Sequence, residues 1–224
     1  MEITMKDLWS HLAHTPALWS APLRPSPDDV MHFSSQLLPG MRTLLLGVTS
    51  ELQPYATMAI DNNQSAVQAN PHIAVYGDWS DLPFESEFDA VIGDGCLNVF
   101  QGTPELFFQQ MQKVLKKGGK LILRTFVSPE EKEKLSVVLE AKDQMSFHAF
   151  QLRVANAMAN PYVSLQERSK TIKSVWDHPH LEVYRNSDLI YYHPKLSELP
   201  CGDSIQFSTS YELAEQCPVI TWSF

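Results

Sequence analysis

An α/β architecture is expected for this chain: a mostly parallel central sheet, helices on both faces, and an antiparallel hairpin at the C-terminal edge. Three observations carry that expectation. Short apolar runs at 43–46, 57–60, 72–75, 90–92 and 121–126 alternate with helical stretches. Runs apolar on both faces suit parallel strands covered from each side, and the punctuation between them has βαβ rhythm. Two late runs, 205–208 and 219–223, flank Tyr211-Glu212-Leu213 and read as the edge hairpin.

The elements follow in order. Residues 1–40 read as a helical, aromatic cover, with Trp9 and Trp19 ahead of a Pro-containing connection over 21–25. Ser26-Pro27-Asp28-Asp29 reads as a helix start: Ser caps, Pro fits the first helical position, and the acids suit the positive end of the dipole. Val30, Phe33, Leu37 and Leu38 keep one face of that helix apolar. The clearest helix is 104–117, capped by Thr103, with Phe107, Phe108, Met111, Val114 and Leu115 as its buried stripe. Lys116 and Lys117 suit its C-terminal end and Gly118-Gly119 its termination. Ser128-Pro129-Glu130-Glu131 reads as a capping box for a further helix. Beyond about 145 the rhythm changes, with helices over 147–158 and 166–176 and an aromatic, polar stretch over 181–199. The organisation expected is one domain over 1–224. It comprises the cover (1–40), a ligand-binding core (41–145), a helical insertion placed to cover a substrate (146–200) and the edge hairpin (201–224).

Composition bounds the function. Apolar residues at 44% and charged residues at 19% are ordinary for a globular protein with a core of its own. Cys96, Cys201 and Cys217 lack the paired spacing of a zinc site, so a reducing, cytoplasmic home is expected. The first fourteen residues hold no apolar h-region, and no stretch approaches the roughly 18 apolar residues of a membrane helix. A net charge of −9 disfavours a polyanion and points to a small or neutral partner rather than nucleic acid. His178-Pro179-His180 has no cysteine near it and only the directly adjacent Asp177 as a carboxylate, and His11 and His14 are read as surface groups, so no metal is expected. The oligomeric state is not legible.

Ligands of open parallel sheets bind beyond the C-terminal strand ends, near the switch in strand order. Those ends carry Gly47-Val48-Thr49-Ser50-Glu51, then Asp61, then Gly77-Asp78-Trp79, then Gly93-Asp94-Gly95-Cys96. Small residues and carboxylates at four successive ends are hard to explain by folding alone. A carboxylate after the second strand can accept from both ribose hydroxyls. One after the third can reach an exocyclic adenine amine, with Trp79 as a flat face beside the base. Gly47 permits close backbone approach, and Cys96 is read as a small buried hydrophobe.

Through TLLLGVTSEL (43–52), AID (59–61), GDWSDLPF (77–84), FDAVIGDGCL (88–97) and VLKKGGKLIL (114–123), the chain resembles the class I S-adenosylmethionine (SAM) methyltransferases. Within them it looks closest to a bacterial subgroup whose first loop reads LLLGVT-x-EL. The resemblance spans about 41–127 and implies a Rossmann-like class I methyltransferase fold with SAM as cofactor. It implies that Gly47 and Thr49 line the methionine and ribose side, that Asp61 holds the ribose, and that Asp78 and Trp79 frame the adenine. Gly93 and Asp94 would form the floor where cofactor and acceptor meet.

The sequence departs from the family loop, keeping only its first glycine. Leu45 stands at the acidic position, and Thr49 and Glu51 replace the later glycines. Asp61 follows Gly47 by so little chain that the intervening helix must be short, as Pro54 supports. Glu51 is expected to replace the missing acid as partner of the SAM ammonium. Arg24, in the N-terminal cover, is a candidate for the SAM carboxylate. Asp94 is the candidate base where the acceptor must lose a proton. The expected activity is methyl transfer to a small molecule. The rivals are methylation of RNA or protein, a catalytically silent SAM-binding or interaction protein on the same fold, and NAD(P)-dependent oxidoreduction, which the glycine-poor loop disfavours.

Overall fold

A computed structural model describes residues 19–184 and 187–224, so Trp9, His11 and His14 lie outside the described residues. Helix α1 (Pro27–Ser35) begins as its sequence dictates: Ser26 Oγ accepts from the Asp29 N–H, and the Asp29 carboxylate accepts from the Ser26 N–H, a complete capping box. Strand β1 (Thr43–Leu46) is buried throughout. One 3₁₀ turn, Gln53–Tyr55, then suffices to reach β2 (Met58–Asp61), because Pro54 sits at its start. Helix α2 (Gln64–Ala69) is capped by the Asn63 side chain and leads to β3 (Ala74–Tyr76) and β4 (Phe88–Asp94). The short α3 (Cys96–Val99), α4 (Pro104–Val114) and β5 (Leu115–Arg124) complete the parallel half.

The seven-stranded sheet runs β3-β2-β1-β4-β5-β9-β8, with β8 (Ser204–Gln206) and β9 (Val219–Ser223) antiparallel at the edge. Alternation along the strands divides the core between two faces. Leu44, Leu46, Val91, Leu121 and Leu123 pack with Phe107, Met111 and Val114 of α4. Leu45, Ala59, Ile92 and Ile122 pack on the other face with Phe33 of α1. This is the mostly parallel Rossmann-like architecture, with its antiparallel edge, that the residue pattern implies.

Two boundaries differ from the sequence reading for identifiable reasons. Helix α4 stops at Val114, because Leu115 pairs with Phe88 as the first residue of β5 and is buried there. Lys116 reaches Asp89 at 2.8 Å instead of the helix terminus, and Gly118, at φ +78°, turns the chain between the two paired parts of β5. Ser128 caps no helix. Its N–H donates to the Pro194 carbonyl at 2.7 Å and its hydroxyl to that of His193. The chain therefore runs beside 193–195 first, and α5 (Leu135–Glu140) starts later from an uncapped Lys134.

The remaining chain forms a separate layer. Helix α6 (Phe147–Met158) packs against α7 (Leu165–Lys173), which ends before the expected 176. Strands β6 (Tyr162–Ser164) and β7 (Ile190–Tyr192) pair antiparallel. Asn98 ties this layer to the sheet, donating to the carbonyls of Phe126 and Tyr192. Among the described residues no helix is long and apolar enough to cross a membrane.

Candidate functional site

Strand order reverses between β1 and β4, so their C-terminal ends diverge and leave a crevice. A cavity of about 750 Å³ opens there and continues under the α6–α7 layer. That volume lies within the roughly 300–1,000 Å³ of small-molecule sites.

At one end stand Gly47, Thr49, Asp61, Asp78 and Trp79. The Ile60 carbonyl accepts both the Gly47 N–H at 2.8 Å and the Trp79 indole N–H at 3.0 Å, which fixes the loop after β1 to the indole ring. Gly47 has φ +79°, a left-handed conformation that a side chain resists. Asp61 Oδ1 accepts the Asn63 N–H at 2.7 Å, whereas Oδ2 faces Gly47. Burial pushes the Asp61 carboxyl up to about 6, against the Asn63 bond. Asp78 is exposed, and the Ser80 N–H and hydroxyl together hold its carboxyl below the ordinary value. Asp61 and Asp78 thus sit in opposite environments on one wall.

Six of the seven residues singled out from sequence line the cavity, Asp94 being the sixth. Gly93 lies behind the wall. A side chain there would meet Cys96 Sγ at 2.6 Å and Leu123 at 3.3 Å, so its smallness serves the packing of α3 on the sheet. Cys96 is buried, donates to the Leu46 carbonyl, and has its thiol pushed well up by burial.

Neither acid expected to be available for new partners is free. Glu51 is held bidentately by Arg24, at 2.8 and 2.6 Å. Burial works against its ionisation, but this pairing keeps its carboxyl below the ordinary value. Asp94 accepts from Arg124 Nε at 2.6 Å, Arg124 being fully buried and the Asp94 side chain 10% exposed. Burial drives the Asp94 carboxyl upward while Arg124 pulls it down, and the guanidinium itself stays charged. Arg124 Nη1 also reaches the Pro22 carbonyl at 2.8 Å and Asp29 at 3.8 Å. Asp94, at the end of β4, is therefore anchored to the start of α1 and the segment before it.

The far end of the cavity was not legible as a site. Arg168, on α7, is 4% exposed, and its guanidinium lies over the rings of Tyr184 and Tyr191 at 5.3 and 5.8 Å. His193 is 2% exposed, stacks on Phe126, and has no hydrogen-bond partner at either ring nitrogen. Burial, aided by Arg168, pushes it down to about 3, so it is neutral. Trp19 forms part of this wall, stacked on His148 and His180. The signal that could have found this end is periodicity: Leu165, Arg168, Ser169 and Ile172 are the buried stripe of α7, with an arginine at an inward position. His178 stacks face to face on Phe147 at 3.7 Å. Among the described residues no three His, Cys, Asp or Glu are grouped as a metal ion would need.

Residues 44–123, just over a third of the chain, match the family model of a methyltransferase domain. No curated protein matches the sequence. The fold is shared with solved structures. A Rhodobacter sphaeroides protein described as a candidate Zn-dependent alcohol dehydrogenase aligns over 96% of each chain, at TM-score 0.68 and 13% identity. A Methanosarcina mazei structure described as a SAM-dependent methyltransferase aligns over 90% of this chain and 98% of its own, at TM-score 0.53 and 14% identity. At such identities the likeness is one of architecture, and the match over 44–123 falls on the strands and loops that build the crevice. That segment is similar to a methyltransferase domain, and it is set in a mostly parallel, Rossmann-like sheet.

Proposed function

We propose that the chain is a SAM-dependent methyltransferase acting on a small molecule, with SAM in the end of the cavity built by β1, β2 and β4. The observation that carries this reading is the convergence of Gly47, Asp61 and Trp79 on one wall at the strand-order switch. The residues fit the cofactor. Asp61 keeps one oxygen uncommitted, as ribose hydroxyls require of an acceptor. Trp79 has its N–H satisfied and its ring available as a flat wall. Asp78, beside it, accepts hydrogen bonds at the surface, where an adenine amine would meet it. Thr49 completes the wall beside Gly47.

Bound SAM supplies an electrophilic methyl group on a sulfonium. The protein's work is then alignment and exclusion of water, and positioning can contribute roughly 7–11 kcal/mol in favourable cases. Asp94 contributes as a fixed, paired wall element, because its carboxylate is committed to Arg124. We read 41–145 as the SAM-binding core and 146–200 as the acceptor cover within one domain, since Leu152, Arg168 and Tyr191 close the far end. The commitment of Glu51 and Asp94 also favours a second reading, a SAM-binding protein without turnover.

Incubation with methyl-labelled SAM and a fractionated cell extract separates the readings. Label is expected in the small-molecule fraction. Label confined to RNA or protein would contradict the acceptor class, and SAM binding without label in any fraction would favour the silent reading.

A further inference from the structure

The far end of the cavity has a chemical bias of its own. Three buried nitrogen donors there have no acceptor: Arg168 Nε, Trp19 Nε1 and, behind the wall, Gln151 Nε2, whose own carbonyl oxygen takes Arg168 Nη2 at 3.3 Å. Among the described residues no carboxylate pairs with Arg168, and its ring neighbours Tyr184 and Tyr191 supply faces rather than charge. A buried guanidinium without a counterion is costly unless a ligand provides one. The other arginines near the cavity have counterions, Arg24 in Glu51 and Arg124 in Asp94, although Arg124 Nη2 is itself without a hydrogen-bond partner. One unbalanced positive charge calls for one negative charge, and a planar fork suits a carboxylate. The surrounding wall is aromatic and apolar, formed by Trp19, Phe126, Leu152, Tyr184, Leu189 and Tyr191.

We propose that this end of the cavity takes a small monocarboxylate with an aromatic or apolar body, its carboxylate received by Arg168 with Trp19 Nε1 as a further donor. The proposal rests on the methyltransferase reading only in calling this the acceptor end; the donor-rich pocket exists independently of it. Neutral His193 lies against the same space and offers the bound molecule both a donor and an acceptor. The site therefore has complementary groups for an acid that also bears a hydroxyl or amine.

The test is calorimetric titration of the full chain with benzoate, benzamide and phenyl phosphate, each with and without S-adenosylhomocysteine. Benzoate is expected to bind saturably, about tenfold or more tighter than its uncharged isostere benzamide. Arg168→Gln should abolish that preference, and Arg168→Lys, which keeps the charge but loses the fork, should retain part of it. The wild-type comparison of benzoate with benzamide needs no variant, so a misfolded Arg168→Gln leaves the test intact. Equal affinities, absence of benzoate binding, or a preference for phenyl phosphate would each overturn the proposal. Benzoate selectivity without any binding of S-adenosylhomocysteine would uphold the carboxylate site while contradicting the cofactor reading.

Discussion

In the proposed function, Asp61 is the residue on which cofactor recognition turns. Its carboxyl, pushed up to about 6, must be ionised to accept from two hydroxyls. Affinity for S-adenosylhomocysteine is therefore expected to fall as pH drops through about 6, and Asp61→Asn should flatten that dependence. A pH profile measured by calorimetry checks both, and an unchanged profile in the variant would remove Asp61 from the ribose. Arg124 makes a different kind of contribution. It is fully buried and shared between Asp94 and Asp29, so Arg124→Met leaves both acids without their cation. A loss of about 3–5 kcal/mol is expected in urea denaturation, against under about 1 kcal/mol for Glu51→Gln in the partly exposed Arg24 pair. At this level the strand-end residues Gly47, Asp61, Asp78 and Trp79 were legible, because strand ends can be located from apolar runs. The commitments of Glu51 and Asp94 were not, since their partners Arg24 and Arg124 come from distant chain.

Among the elements, α1, β1, α6 and β9 follow directly from their caps and apolar runs. The α4–β5 junction does not, because lysine and glycine after a helical stripe look the same whether they end a helix or start a strand's turn. Tertiary pairing of Leu115 with Phe88 decides the matter. Gly118 holds φ +78°, and a β-carbon added there would meet nothing within 4 Å, so its requirement is purely one of backbone. Gly118→Ala should cost about 1–2 kcal/mol in thermal or urea unfolding and leave S-adenosylhomocysteine affinity unchanged. A neutral substitution would mean the turn readily adopts another conformation. The α6–α7 layer was legible as helices placed to cover a substrate, but its lining side chains were not: an arginine on a helix is ordinarily read as solvent-facing, and only the fold shows Arg168 turned inward.

For the molecule as a whole, buried neutral histidines govern the response to acid. His148 is pushed down to about 4 and His193 to about 3 by burial, from an ordinary 6.5. Between those values the unfolded chain binds more protons than the folded one, so stability is present above about 6.5 and is lost as pH falls below it. Asp61 acts in the opposite sense, its folded value being raised, and its contribution is lost as pH rises from 3.8 through about 6. Asp94, also raised by burial, acts with Asp61, while His178, lowered by burial, acts with the other histidines. The three histidines outweigh the two carboxyls, and the urea midpoint is expected to fall between pH 7 and pH 5. A higher midpoint at pH 5 would show that these histidines are solvated.

The proposed function requires recognition of an adenosyl sulfur compound through Asp61, in the crevice between β1 and β4. Calorimetric titration of the wild-type chain and Asp61→Asn with S-adenosylhomocysteine, at a pH above 7 and with NADH as the competing ligand, tests that requirement. One saturable site is predicted for S-adenosylhomocysteine, weakened about tenfold or more by Asp61→Asn and unaffected by NADH. Binding of NADH without binding of S-adenosylhomocysteine would contradict it.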